Sequence, residues 1–219
     1  TPELCKELYD ASLDNVQVTV YSHEKDVHNR LVGVDGYEDT VRGIANALEA
    51  DLGLSVNTPL CLQNRDYAAL ISHFAAMGVK YFTCSALIPT GNALGEASIA
   101  TRLSKDELQE ILTAAVDTCK SLGCEISFTS PGWFNEEEIR KIGLRDVPTC
   151  GACLSNMSVR PDGGVVPCQS WLSDAPLGNL KTDPWQKIWN HRSCKKIRAV
   201  SAEMAGICQL NYEKEHAVC

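Results

Sequence analysis

Short apolar or alternating runs take turns with longer stretches whose apolar positions recur every three to four residues over the first ~130 residues. The run NVQVTVYS sets Val16, Val18 and Val20 on one face and predicts a strand. HEKDVHNRLVGVDG follows and reads as a loop ending in an Asp-Gly turn. YEDTVRGIANALEADLG predicts a helix with Val41, Ile44, Ala45, Leu48 and Leu52 as its apolar stripe and Gly53 as its stop. LSVNTPLCL is the next strand, NRDYAALISHFAAMG a helix stopped by Gly78, and VKYFTCSALI a third strand. Ser104 and Glu107 form a capping box at the head of a long helix. Leu108, Ile111, Leu112, Ala115 and Cys119 face inward along it, Gly123 stops it, and CEISFTS is a fourth strand.

This alternation predicts an α/β fold with a parallel sheet. Ligands of such sheets gather at the C-terminal strand ends, here Tyr21, Ser22, His23, Asn57, Ser85 and the loop Pro89-Thr90-Gly91-Asn92. From about Pro131 the alternation stops, and Gly, Pro and Cys punctuate short segments. NMSVRPDGGVVPC reads as a hairpin turning at Asp162-Gly163-Gly164. LGNLKTDPWQKIWNHRSCKKIRAVS reads as holding one helix, capped by Asp183 with Pro184 at its first position. Trp185, Ile188 and Trp189 would mark its buried side. The boundary lies within 131–149, separating an α/β region (1–135) from a small α+β region (146–219).

Charge narrows the partners. The net charge is −8, and no basic cluster exceeds Lys195-Lys196, so no nucleic-acid partner is expected. No apolar run is long enough to span a bilayer, and TPELCKELYD does not resemble a signal peptide, so the expected location is cytoplasmic, away from membranes. Eleven cysteines, an odd number without a visible signal peptide, point away from a secreted disulfide framework. Cys61, Cys84, Cys119 and Cys124 stand singly in apolar segments, Cys5 lies on a short amphipathic first helix, and all read as buried packing residues.

Cys150 and Cys153 form a Cys-x-x-Cys pair that one turn can aim at a common centre, and Cys168 closes the hairpin that follows. Both tetrahedral zinc and an iron–sulfur cluster take four thiolates. A zinc ribbon normally has two Cys-x-x-Cys knuckles; the single one here favours iron–sulfur. Cys194, Cys208 and Cys219 are the candidates for the fourth ligand. On a regular helix from Pro184, Cys194 lies half a turn round from Trp185, which turns it away from the Trp185/Trp189 stripe and leaves it outside the expected cluster. Cys208 and Cys219, in the irregular tail, stay open.

These segments resemble a known family. NVQVTVYSHEKDVHNRLVGVDGYEDTVRGI, LSVNTPLCLQN and VKYFTCSALIPTGNA resemble the second half of a radical S-adenosylmethionine (SAM) barrel, with an H-x-x-x-x-G-x-x-G loop (His28, Gly33, Gly36) and a P-x-G-x-A segment (Pro89, Gly91, Ala93). CGACLSNMSVRPDGGVVPC, followed by LGNL and W-x-x-I-W, resembles the auxiliary-cluster domain of such enzymes, called SPASM or, when shorter, twitch. The resemblance implies the second half of a partial (β/α)6 barrel followed by a SPASM/twitch iron–sulfur domain. It implies an auxiliary [4Fe-4S] cluster on Cys150, Cys153 and Cys168 with a tail cysteine, Cys219 ahead of Cys208. It also implies a parent enzyme that uses S-adenosylmethionine and modifies a peptide or protein side chain. Thr19 matches a family position facing the SAM ribose, and Asn57 would line the same cleft.

The family's catalytic Cys-x-x-x-Cys-x-x-Cys triplet does not occur in the 219 residues, and Cys119 and Cys124 lack its spacing. The expectation is therefore a fragment of a radical SAM enzyme, itself unable to cleave SAM. The alternative is a non-catalytic zinc or iron–sulfur module that presents a partner surface. His23 and His28 read as solvated loop histidines, and Glu136-Glu137-Glu138 as a solvated helix start.

Overall fold

Four strands, β1 (Asn15–Thr19), β2 (Gly53–Leu60), β3 (Tyr81–Ala86) and β4 (Glu125–Phe128), lie in the order β1-β2-β3-β4 with every neighbouring pair parallel. The computed structural model describes residues 1–88, 95–96, 101–203 and 206–207. Sequential order means that each right-handed crossover passes over the same face of the sheet. That face carries the apolar half of the alternation, Val20, Val56, Phe82, Cys84 and Phe128, all buried. The crossovers hold α2 (Lys25–Val32), α3 (Tyr37–Glu49), α4 (Tyr67–Ala76) and α5 (Lys105–Leu122). They supply Ile44, Leu70, Ile71, Phe74, Leu108 and Leu112 to the same core. Helix α1 (Pro2–Asp10) packs on α3 and buries Cys5. The short α6 (Glu136–Ile142) begins at the acidic triplet.

Local chemistry explains the ends of these elements. The Ser104 Oγ accepts from the Glu107 N–H at 3.3 Å, and the Glu107 carboxylate accepts from the Ser104 N–H at 2.9 Å. Gly123 closes α5 at φ +64°, a left-handed cap that glycine enters without a Cβ clash. Gly53 opens β2 where a Cβ would lie 2.6 Å from the Asp14 carbonyl oxygen, so close backbone approach requires glycine there.

Several expectations change. HEKDVHNRLVGVDG holds helix α2 in place of a continuous loop, because Val27, His28 and Leu31 turn inward together and Gly33 caps the helix at φ +79°. The buried stripe of α3 uses Ile44 and Ala47, leaving Ala45 exposed; the helix ends at Glu49, and Gly53 belongs to β2. Cys124 is half-buried, with its thiol 3.6 Å from the Val79 carbonyl oxygen.

The described chain divides into two units. One comprises Thr1–Leu87, Thr101–Thr129 and Glu137–Asp146; the other holds the described residues of 88–100, 130–136 and 147–219. The second unit contains a three-stranded antiparallel sheet, β5 (Ser158–Val159), β6 (Gly164–Val166) and β7 (Gly178–Asn179). The hairpin supplies β5 and β6, and Leu177-Gly178-Asn179 adds an unexpected third strand. The expected single helix is two: α7 (Trp185–Trp189) and α8 (Arg192–Glu203). Asp183 does not cap α7, since its carboxylate accepts from the Asn179 N–H (3.0 Å) and Lys187 Nζ (2.6 Å). Ile188 is fully buried, whereas Trp185 is 45% exposed and stacks on Trp189. A helix this short turns only one residue into the core. Among the described residues, no helix is long and apolar enough to cross a membrane.

Candidate metal centre and polar sheet face

The face of the parallel sheet opposite its helices is polar. Strand alternation brings Gln17 and Thr19, Ser55 and Asn57, Thr83 and Ser85, and Ser127 to it. Thr19, Asn57, Thr83 and Ser127 are successive register partners across all four strands, so one row of the face is polar from edge to edge. Asn57 Oδ1 accepts from the Thr83 hydroxyl at 3.0 Å, which itself accepts from Gln17 Nε2 at 3.3 Å. Asn57 is half-buried in the middle of β2 and not at its end, and Thr19 is exposed on the edge strand.

The ends of β1 and β2 are tied by a residue the sequence reading passed over. Asn64 is buried; its Nδ2 donates to the Tyr21 and Pro59 carbonyls, both at 2.9 Å, and its Oδ1 accepts from the Cys61 N–H at 2.7 Å. The Thr58 hydroxyl donates to the Val20 carbonyl at 2.8 Å. His28 is buried, not solvated. It packs edge-on to Tyr21 and Tyr37, its Nδ1 accepts from the Tyr21 N–H at 3.2 Å, and burial pushes its pKa below the usual histidine value. His23 is half-buried beside the ring of His73 at 6.2 Å, and its Nδ1 has no hydrogen-bond partner among the described residues. Pro89, Gly91 and Ala93 lie outside the described residues.

In the second unit the thiols share one core. Cys153 and Cys194 are fully buried, and Cys150 and Cys168 pack half-buried against the same group. The Cys150–Asn156 loop winds around the Gly151 carbonyl, which accepts from the N–H groups of Leu154, Ser155 and Asn156. Cys153 holds a left-handed φ of +56°, and its N–H donates to the carbonyls of Asn156 (3.0 Å) and Pro167 (3.1 Å). The second bond joins the Cys-x-x-Cys loop to the residue before Cys168. Cys168 Sγ accepts from the Ser170 N–H at 3.2 Å. Cys150 Sγ lies 3.9 Å from the Ser201 hydroxyl, which donates to the Ala152 carbonyl at 2.8 Å.

Cys194 overturns the geometric premise set out above. The chain breaks at Asn190-His191 and restarts as α8, so the helical phase from Trp185 no longer applies. Cys194, Ile197 and Ser201, spaced i, i+3, i+7, form the buried face of α8, and Cys194 packs into the same core as Cys153. That spacing was the available signal. Burial and the neighbouring Cys194 raise the Cys153 pKa. Cys208 and Cys219 lie outside the described residues.

Helix α8 also carries Arg198. The Arg198 guanidinium lies 3.8 Å over the Trp189 ring, and its Nη2 donates to the Trp189 carbonyl at 3.1 Å. Its Nη1 is buried with no hydrogen-bond partner among the described residues, and its charge acts on Cys153. Among the described residues, no three His, Cys, Asp or Glu side chains converge as a site for a single metal ion. An iron–sulfur cluster asks for a different arrangement, since each thiolate binds a separate iron around a cube. Buried thiols and an N–H aimed at sulfur suit such an anionic group.

Residues 135–211 match the family model of SPASM, an iron–sulfur cluster-binding domain. No curated protein matches the chain in sequence. Among solved structures, native anSMEcpe with bound AdoMet aligns with a TM-score of 0.68 at 16% identity, over 92% of this chain and 57% of that one. Streptococcus suis SuiB bound to S-adenosylmethionine aligns at 0.69 and 14% identity, over 92% and 51%. SuiB bound to the precursor peptide SuiA aligns at 0.64 and 11% identity, over 84% and 44%. The chain thus spans about half the length of these proteins, and likeness at such identity establishes a shared fold. Residues 135–211, the C-terminal region of this chain, are thus similar to the SPASM iron–sulfur cluster-binding domain.

Proposed function

We propose that this chain is the rear half of a radical SAM barrel with its auxiliary-cluster domain, from an enzyme that modifies a peptide or protein side chain. The observation that carries the reading is the coincidence of the SPASM match, over residues 135–211, with the thiol-lined core of Cys150, Cys153 and Cys168. The shared fold supports it, because one such structure binds a precursor peptide and others bind S-adenosylmethionine. In this reading Cys150, Cys153 and Cys168 hold an auxiliary [4Fe-4S] cluster with one further cysteine, expected from the tail as Cys219 or Cys208.

The cluster, when bound, supplies electron-transfer capacity or a substrate anchor. The chain's own residues do the rest. The polar sheet face lines the cofactor cleft, with Thr19 and Asn57 toward S-adenosylmethionine and Thr83 fixing the amide of Asn57. Asn64 and His28 hold the strand ends beside it. Radical generation itself belongs to a Cys-x-x-x-Cys-x-x-Cys triplet, which these 219 residues do not contain.

Anaerobic purification with iron and acid-labile sulfide analysis tests the reading. Equal iron and sulfide with visible charge-transfer absorbance is the expected result. Stoichiometric zinc without sulfide overturns it in favour of a structural metal module.

A further inference from the structure

We infer that His23 and His73 form a two-imidazole site for a divalent transition-metal ion. Both residues belong to the first unit, and the site is independent of the cluster proposed above. His23 lies in the turn between β1 and α2, and His73 on α4. The turn is fixed at two points. The Tyr37 hydroxyl donates to the His23 carbonyl at 2.7 Å, and the Ser22 hydroxyl accepts from the Glu24 N–H at 3.0 Å. Helix α4 is anchored by the fully buried Ile71 and Phe74, and the His73 ring packs edge-on to Phe74 at 5.0 Å. The two imidazole ring centres are 6.2 Å apart, with their planes tilted by 38°. Metal–nitrogen bonds of about 2.0–2.1 Å on each side, added to the reach from ring centre to nitrogen, span about 5–6 Å between ring centres. The observed separation stands at the wide end of that span, and a small rotation of the exposed His73 side chain covers the difference.

The ring nitrogens supply a second observation. His28 and His191 turn Nδ1 to a backbone N–H, that of Tyr21 and that of Ser193. Among the described residues, the rings of His23 and His73 make no such bond, and Nδ1 of His23 is buried. A buried ring nitrogen without a partner is costly, and a metal ion is a partner that a neutral imidazole takes through its lone pair. Imidazole suits zinc, copper and nickel. Among the described residues no third His, Cys, Asp or Glu joins the pair, so the remaining coordination positions fall to water or an outside ligand. The bound ion ties the turn after β1 to α4.

The test titrates zinc into the full chain, labelled with carbon-13 at histidine Cε1, beyond the amount its thiols take up. Imidazole signals are followed by NMR in wild type, His73→Gln and His23→Gln. The expected result is a saturable shift of His23 and His73 together, with His28 unmoved. Either substitution is expected to abolish the shift at the remaining partner. An unchanged His28 signal reports an intact first unit. Because His73 is exposed, His73→Gln decides the matter even if His23→Gln fails to fold. No shift at either histidine of the wild type, or a shift of His23 that persists in His73→Gln, overturns the site.

Discussion

Arg198 lies over the Trp189 ring, and its positive charge favours the thiolate form of Cys153. A cation beside a redox centre favours the state with the extra electron. Arg198→Gln is therefore expected to shift the proposed cluster's midpoint potential to more negative values in an EPR-monitored redox titration. It should also cost about 1 kcal/mol of stability from the lost stacking. His28 gives a pH signature in the other unit. Burial lowers its folded pKa, so as pH falls below ~6.5 the unfolded chain takes up a proton first. Stability is then expected to fall, by at most ~1.4 kcal/mol per pH unit, until the lowered folded value is reached. His28→Gln keeps an acceptor for the Tyr21 N–H and should flatten that slope in urea titrations at roughly pH 7.5 and 5.5.

Among the elements, those legible in advance carry their own start and stop signals. Helix α5 has its capping box, its inward stripe and its glycine stop within its own sequence, and the structure shows all three. Ser104→Ala is expected to cost about 1 kcal/mol, read as a lower denaturation midpoint. The alternating strands were equally plain, because pleating imposes a period of two on any half-buried strand. The thiol core was only partly legible. Cys150, Cys153 and Cys168 lie within one hairpin and show by spacing, whereas Cys194 depends on a helix break at Asn190-His191 that has no proline or glycine to mark it. The strand β7 was hidden because its two residues are too few to show a period of two. Its Gly178 is set by packing, since a Cβ there would lie 2.8 Å from Cγ1 of the buried Ile188. Gly178→Ala should cost about 1–3 kcal/mol and loosen α7, visible as faster amide exchange around Ile188.

For the whole molecule, the two units place their chemistry in different kinds of structure. The parallel sheet rests on an apolar core of its own, while the second unit builds a small core around thiols. Removal of the proposed cluster's iron by a chelator is therefore expected to speed amide exchange across 150–201 and to leave β1–β3 unchanged, as measured by mass spectrometry. The strand order has a further consequence. With every crossover on one side, the opposite side of the sheet is a table of hydroxyls and amides running from Thr19 to Ser127. Greasy surfaces gain little by settling there, since each covered hydroxyl or amide must be repaid with a matching partner. A guest is therefore selected by its pattern of donors and acceptors, and a close analogue missing one of them is turned away more sharply than one missing a methyl group.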